Sequence, residues 1–249
     1  MEDGLKAVIL AAGVSSRLGT LTKDRPKCML PIFNKKTLIK YQIEKLKKVG
    51  IEEKNIFIIA GYKINVLKNH LKDTKVHIIF NPKFKEWNNI YTFYLISKIT
   101  EISNNDKFIL LNSDTFFHED ILAKLMNASA VNCVVLDIFK KLGWEEMKVL
   151  TKNNRILKFG KDIPIEKATG EYIGLAKFRK GDLMLLFYVI ERLIQNGNTD
   201  IWYEIAFNYV TDKLEIEYID TNKKPWIEID TIEDYNKAKN LMIEYQYDL

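Results

Sequence analysis

The chain has 249 residues, of which 47% are hydrophobic, so it can bury a substantial core within one α/β domain. Its 38 basic and 33 acidic residues give a net charge of +5. The lysines are scattered and form no dense stripe, and we therefore expect no nucleic-acid partner. The longest strongly apolar stretch, 183–190, is too short to cross a bilayer, and no membrane partner is expected either.

The expected compartment is the cytoplasm. The start Met1-Glu2-Asp3 lacks the basic and apolar regions of a signal peptide. Cys28 and Cys133 are far apart in the sequence and have neither a Cys-x-x-Cys pair nor a histidine cluster nearby. This spacing favours two free thiols over a disulfide or a zinc site.

A short apolar run lies at residues 7–10 and is followed by a loop of small residues. Such a run is typical of a buried parallel strand. Small side chains let backbone N–H groups approach phosphate oxygens, and serine hydroxyls add donors where a helix could begin. The loop residues predicted to bind a nucleoside triphosphate are Leu10, Ala11, Ala12, Gly13, Ser15 and Ser16.

Two cations follow this loop, Arg17 and Lys27, and Pro26 stiffens the placement of Lys27. Arginine offers a planar fork to phosphate oxygens, whereas lysine offers a compact charge that can lie beside the phosphorus under attack. The pattern is not a Walker loop, because no Gly-Lys-Ser/Thr follows, and it does not fit Gly-x-Gly-x-x-Gly. Both residues are predicted to be catalytic.

Strands and helices alternate in the remainder of the first half. The predicted elements are helices at 38–49, 64–71 and 89–102 and strands at 56–60, 76–80 and 108–111. Alternation predicts parallel strands joined by right-handed crossovers, with ligands bound beyond the carboxyl ends of the strands.

The second half is less regular. Its predicted strands are 131–136, 147–150, 156–159, 172–178, 214–219 and 226–229, and its predicted helices are 182–195, 201–210 and 231–245. The fold class is therefore α/β, with a Rossmann-like, mixed but mainly parallel sheet flanked by helices and a smaller β insertion.

Two aspartates, Asp114 and Asp230, each follow an apolar strand that would deliver them to the ligand edge. Mg²⁺ takes one or two such carboxylates together with substrate phosphates and waters. Each aspartate has an alternative role, in helix capping or in a turn for Asp114 and as the N-cap of the final helix for Asp230. Glu228 is the weaker candidate, since alternation is expected to turn it to the opposite face of the strand.

The pattern Leu10-Ala11-Ala12-Gly13-x-x-x-Arg17 followed by Pro26-Lys27 resembles the signature of the sugar-phosphate nucleotidyltransferases. Many members have a second glycine where Ser15 stands. The resemblance implies a single domain, 1–249, with a nucleotide-binding half (about 1–130) and an acceptor-binding half with a closing helix (about 131–249). It also implies attack of an acceptor phosphate or phosphonate oxygen on the α-phosphorus of a nucleoside triphosphate, with release of pyrophosphate.

Further segments are more similar to the cytidylyltransferases that act on phosphocholine and 2-aminoethylphosphonate. They are Asn88-Asn89-x-Tyr91, 146–149, 170–174 and 226–230. This resemblance implies CTP as the nucleotide and Mg²⁺ held by Asp114 and Asp230. It further implies that Arg17 binds mainly the β- and γ-phosphates and that Lys27 binds the α-phosphate and the acceptor.

Amide and charged side chains, with one tyrosine, are the candidates for binding the nucleotide base and the acceptor. Candidates for the base are Asn81, Asn88 and Asn89, with helix capping as the alternative for the last two. Candidates for the acceptor are Lys148, Glu171, Tyr203 and Glu204. A quaternary choline would favour an aromatic cage and a primary amine would favour carboxylates, and the residues leave this choice open.

Two other functions remain as alternatives at this point. A hexose-1-phosphate uridylyl- or thymidylyltransferase would share the first loop and the metal carboxylates, but no cluster of hydroxyl-binding amides is evident. A catalytically silent nucleotide-binding regulatory module would need none of Arg17, Lys27, Asp114 and Asp230. Apolar and aromatic residues of the second half could support a homodimer.

Overall fold

The structure is a computed structural model that describes the backbone of residues 5–247 and the side chains of residues 5–244. Its strands are β1 (Lys6–Ala11), β2 (Pro31–Phe33), β3 (Lys36–Thr37), β4 (Ile56–Ala60), β5 (His77–Phe80), β6 (Lys107–Asn112), β7 (Thr115–Phe117), β8 (Cys133–Asp137), β9 (Lys148–Lys152), β10 (Arg155–Phe159), β11 (Gly170–Arg179), β12 (Glu217–Asp220) and β13 (Trp226–Glu228). Its α-helices are α1 (Leu38–Lys48), α2 (Ile64–His70), α3 (Asn89–Tyr94), α4 (Glu119–Asn127), α5 (Met184–Gln195), α6 (Tyr203–Phe207) and α7 (Ile232–Tyr247).

A nine-stranded mixed sheet runs through both halves of the chain, in the order β5-β4-β1-β6-β11-β8-β12-β10-β9. The strands β5, β4, β1 and β6 are parallel, as the alternating pattern predicts. Strand β11 runs antiparallel to β6 and joins the two halves. Because β1 and β6 are central and parallel, their carboxyl ends open onto the same edge of the sheet.

Hydrophobic residues of β1 alternate between two cores, one on each face of the sheet. Val8 packs with α3, α5 and α6, whereas Ile9 packs with α1, α2 and α4. Both side chains are fully buried, and burial on both faces accounts for the continuous apolar run of this strand. A third core holds α7 against β2 and the 3₁₀ turns that follow β1.

The predicted α/β fold class is confirmed, with local differences in the elements. The helix predicted at 89–102 ends at Tyr94 and continues as a 3₁₀ helix, 95–98. The buried Lys180 ammonium then donates to the carbonyls of Ile99 and Ile102 at 2.6 and 2.8 Å. Since a side chain caps these carbonyls, the chain can leave the helix without orphaning them.

Helix α4 has no counterpart among the predicted elements, although Ile121, Leu122 and Leu125 recur at helical spacing and are buried. Strands β2, β3 and β7 are also unpredicted, because two or three residues carry no detectable alternation. Within residues 5–247, no helix combines the length and apolar character needed to cross a membrane. Residues 1–4, 248 and 249 of the predicted domain, including the start that lacks signal-peptide features, lie outside the described residues.

Candidate functional site

A pocket of about 890 Å³ lies beyond the carboxyl ends of β1 and β6. Its floor is formed by residues that follow these two strands and by the segment 226–231, and one side is formed by the start of β11. This is the place where parallel α/β sheets bind ligands. Of the predicted nucleotide-binding loop, Leu10, Ala11, Ala12, Gly13 and Ser15 line the pocket. Ser16 is absent from the wall and begins a 3₁₀ helix.

Ser15 adopts a left-handed backbone conformation with φ of 57°. An L-residue adopts this conformation at a cost in conformational energy that glycine avoids, which is the physical reason that a glycine suits this position. Thr22 holds the turn, since its hydroxyl donates to the Ser15 carbonyl at 3.0 Å. The loop therefore keeps the strained turn with serine in place of glycine.

The predicted catalytic cations meet at one carboxylate. Lys27 Nζ lies 2.8 Å from Asp230 Oδ1, and Arg17 Nη2 lies 2.8 Å from Asp230 Oδ2. The Lys27 side chain is nearly buried, whereas that of Arg17 is largely open to the pocket and solvent. The structure thus brings these residues together from positions that are up to 213 residues apart in the sequence.

Charge pairing sets the ionisation of this cluster. Burial would lower the pKa of Lys27, but the carboxylates of Asp114 and Asp230 outweigh burial and hold that pKa above its usual range. Burial would raise the pKa of Asp230, but Lys27 and Arg17 outweigh it and hold the pKa below its usual value. Lys27 is therefore a permanent cation and Asp230 a permanent anion near neutral pH.

Three carboxylates, from Asp114, Glu228 and Asp230, each place one oxygen within 4.8 Å of the others. The expectation that Glu228 faces away is wrong, because Glu228 lines the pocket and its carboxylate lies in this cluster. Although Glu228 keeps contact with solvent through the pocket, enclosure by protein and the neighbouring carboxylates of Asp114 and Asp230 raise its pKa. The group is rich in negative charge.

The donor set of this cluster fits a divalent cation such as Mg²⁺. All three side chains supply hard carboxylate oxygens, which Mg²⁺ prefers. Moreover, Asp114 Oδ1 is buried and has no hydrogen-bond partner among the described residues. An orphaned carboxylate oxygen is costly unless a ligand satisfies it, and a cation would do so.

The predicted base-binding asparagines lie in different settings. Asn88 and Asn89 line the pocket, and both also cap helices, since Asn88 Oδ1 accepts from the Asn89 amide and Asn89 Oδ1 accepts from the Tyr203 amide. Asn81 is buried outside the wall, where it donates to Thr92 Oγ1 at 2.9 Å and accepts from the Lys83 amide. Thr92 does line the pocket, so Asn81 supports the wall from behind.

Two predicted acceptor residues also lie outside the pocket wall. Lys148 is buried and donates to the carbonyls of Gly143 and Trp144. The Tyr203 hydroxyl donates to Asn112 Oδ1 at 3.2 Å, and its ring stacks on Phe93. Lys148 therefore fixes the loop after β8, and Tyr203 fixes the pocket residue Asn112.

The two predicted acceptor carboxylates do line the pocket, with different partners. Glu171 Oε2 lies 2.7 Å from Lys140 Nζ, and burial outweighs this pairing and raises the pKa of Glu171. Glu204 is 4% exposed, and its Oε2 has no hydrogen-bond partner among the described residues. Burial raises the pKa of Glu204 to about 7.

Sequence reasoning ranked Glu228 only as the weaker metal candidate. It did not place seven other charged residues of the wall in the site, which are Asp137, Lys140, Glu145, Glu146, Lys161, Asp234 and Lys237. Lys140 and Lys161 lie in loops after β8 and β10, among many other lysines, and no periodicity separates them from solvated charges.

Known proteins share this architecture over nearly the full chain. A protein-family model described as nucleotidyl transferase matches residues 6–244. A CTP:phosphoglutamine cytidylyltransferase of Campylobacter jejuni subsp. jejuni is 32% identical over 92% of this chain and 97% of its own length. A choline-phosphate cytidylyltransferase of Streptococcus pneumoniae is 25% identical over 96% of this chain and 98% of its own.

Two solved structures extend the match to three dimensions. A CTP:phosphocholine cytidylyltransferase from Streptococcus pneumoniae superposes with a TM-score of 0.75 at 25% identity, covering 96% of this chain and 99% of that one. An inositol-1-phosphate CTP transferase from T. maritima gives a TM-score of 0.80 at 24% identity and supports the fold alone, covering 96% and 95% of the two chains.

Proposed function

Because the chain belongs to the nucleotidyl transferase family, we propose that it is a cytidylyltransferase that transfers CMP from CTP to a small acceptor bearing a phosphate or phosphonate. The observation that carries this proposal is the convergence of Arg17, Lys27 and the acidic cluster beside the loop 10–13 in one pocket. The named activities of the relatives, which use CTP and a phosphorylated headgroup, support the choice of nucleotide and acceptor class.

In this reaction an anionic acceptor oxygen attacks the α-phosphorus of CTP. A new oxygen–phosphorus bond forms, the bond from the α-phosphorus to the bridging oxygen of the β-phosphate breaks, and pyrophosphate leaves with the electron pair. The acceptor needs no general base, because a phosphate monoester is already largely dianionic near neutral pH. Catalysis therefore consists of aligning two anions and offsetting their repulsion.

The cations of the pocket meet this need. Lys27 is nearly buried and permanently charged, which suits it to stabilise charge on the α-phosphate and on the incoming acceptor oxygen. Arg17, which is more open, suits the outer phosphates with its planar fork. Asp114, Glu228 and Asp230 would hold Mg²⁺, which when bound would neutralise part of the phosphate charge.

The test is pyrophosphate release by the purified protein with Mg²⁺. CTP, UTP, dTTP, ATP and GTP are each combined with phosphocholine, phosphoethanolamine, 2-aminoethylphosphonate, phosphoglutamine and glucose 1-phosphate. We expect acceptor-dependent release with CTP and a nitrogen-bearing acceptor. Release only with UTP or dTTP and glucose 1-phosphate would instead identify a hexose-1-phosphate transferase, and no release with any pair would favour a silent binding module.

A further inference from the structure

The Glu204 carboxylate on the acceptor side has no counterion among the described residues. Glu171 Oε2 lies 2.7 Å from Lys140 Nζ, whereas Glu204 Oε2 is buried with neither an ion pair nor a hydrogen-bond partner in the described part of the chain. Glu204 is the second residue of helix α6, directly after Tyr203, and the Tyr203 hydroxyl contacts Tyr172 of β11. A buried carboxylate oxygen of this kind calls for an N–H or O–H donor from a ligand.

The tryptophans of the pocket, by contrast, already carry cations supplied by this chain. Lys161 Nζ lies 4.9 Å from the ring centroid of Trp202, and Lys140 Nζ lies 5.5 Å from that of Trp226. Trp87 is likewise covered by Lys83 at 5.2 Å. An aromatic cage for a quaternary ammonium needs open ring faces and no competing cation. These lysines occupy ring faces and add like charge.

We propose that the acceptor carries at least one N–H group on its nitrogen, as a primary amine or amide does, that this group binds Glu204, and that a fully methylated ammonium is a poor acceptor. The inference rests on the cytidylyl transfer proposed above and narrows its substrate class. A trimethylammonium has the same charge as a primary ammonium but no N–H donor. It would leave Glu204 Oε2 unsatisfied and meet the lysines over the tryptophans.

The experiment is a methylation series at constant charge. Phosphoethanolamine, its N-methyl and N,N-dimethyl derivatives, and phosphocholine are compared as acceptors with CTP, and kcat/KM is measured for each. We expect kcat/KM to fall along the series and to be about 10- to 100-fold lower for phosphocholine than for phosphoethanolamine, which is the cost of leaving one buried charged group unsatisfied. Equal or better use of phosphocholine would overturn the inference and leave cytidylyl transfer standing.

Variants test whether Glu204 and Lys161 cause the preference for phosphoethanolamine over phosphocholine. Glu204→Gln should lower kcat/KM for phosphoethanolamine about tenfold or more, mainly through KM, and leave that for phosphocholine nearly unchanged. The exposed Glu166→Gln is the matched control and should preserve the ratio of kcat/KM for phosphoethanolamine to kcat/KM for phosphocholine. Lys161→Met, which uncovers Trp202, should shift the ratio towards phosphocholine. A ratio that Glu204→Gln leaves unchanged would overturn the assignment to Glu204.

Two further outcomes separate this inference from the proposed function. If CTP is used with a nitrogen-free acceptor and with no member of the series, the inference fails and cytidylyl transfer stands. If only UTP or dTTP with glucose 1-phosphate gives pyrophosphate, both fail. The KM for CTP should be the same in Glu204→Gln and the parent protein, and a rise confined to CTP would place Glu204 at the nucleotide and overturn the inference.

Discussion

Asp114 uses its two carboxylate oxygens differently with respect to Lys27. Its Oδ2 lies 2.9 Å from Lys27 Nζ, whereas its Oδ1 is buried with no hydrogen-bond partner within the part of the chain that is described. The same lysine also reaches Asp230 at 2.8 Å. Lys27 therefore neutralises part of the negative charge of the acidic cluster, and Asp114 Oδ1 is left to bind a further cation.

Lys27→Ala should chiefly reduce turnover. Removal of one charge-stabilising group from an active site typically lowers the rate by about 10² to 10³. The exposed Lys23→Ala, four residues earlier and outside the pocket wall, is the matched control and should retain activity. Both are measured as kcat for pyrophosphate release at saturating CTP and acceptor, and a loss of less than about tenfold would contradict the role given to Lys27.

Asp114→Asn should weaken binding of a divalent cation without any substrate present. The substitution keeps the shape of the side chain but removes the charge from the oxygen that has no partner. We expect the dissociation constant for Mn²⁺, used as a probe of the Mg²⁺ site in calorimetric titration, to rise at least about tenfold.

The exposed Asp24→Asn carries the same chemical change outside the pocket and is the control for this titration. Equal Mn²⁺ affinity in Asp114→Asn and Asp24→Asn would show that the acidic cluster does not bind the cation.

The chain pattern predicts the parallel half of the fold and the floor of the site, for a physical reason. Buried parallel strands read as continuous apolar runs, and polar residues that follow them must meet at one edge of the sheet. The positions of Asp114 and Arg17 can be predicted from the sequence in this way. The wall of the acceptor side cannot, because it depends on antiparallel strands whose register is set by long-range contacts. Lys148 and Lys140 are alike in sequence, but Lys148 lies on β9 and is buried against the carbonyls of a loop, whereas Lys140 lies in the loop after β8 and pairs with Glu171 in the pocket.

Glu204 should make the stability of the protein depend on pH. Its folded-state pKa is about 7, against an ordinary value of 4.5, because burial disfavours the charged form. Tyr172, Tyr203 and Asp114 are the titratable neighbours that face it. Below the pKa of Glu204 in the unfolded chain, the carboxyl is protonated in both the folded and the unfolded protein, and its burial as a charge does not lower the free energy of unfolding. Above the pKa in the folded protein, the carboxylate is charged and buried, and the free energy of unfolding is lowered by the full cost of that burial.

The parent protein should therefore lose stability relative to Glu204→Gln as the pH rises from about 4.5 to about 7, by about 1–3 kcal/mol. Urea unfolding of the two proteins, measured without ligands across this range, gives the difference directly. All other titrating groups are shared by the pair and largely cancel. A difference that stays constant with pH, or that shrinks as the pH rises, would contradict the raised pKa of Glu204.

Ser15→Gly should stabilise the protein, although it removes a side chain. Ser15 has φ of 57°, which an L-residue adopts at a cost of about 1–2 kcal/mol and glycine adopts freely. The extra entropy of glycine in the unfolded chain offsets part of this gain, so we expect a net increase of about 0.5–1 kcal/mol in the free energy of unfolding. The bond from Thr22 to the Ser15 carbonyl survives the substitution and keeps the turn in place.

Ser16→Gly is the matched control for this prediction. Ser16 is not among the residues with positive φ and begins a 3₁₀ helix, so glycine there gains nothing and adds only unfolded-state entropy. Its free energy of unfolding should fall by about 0.5–1 kcal/mol. Opposite signs for two neighbouring serines, measured by urea unfolding, would locate the strain at position 15. A loss of stability in both variants would show that Ser15 is not strained in the folded protein.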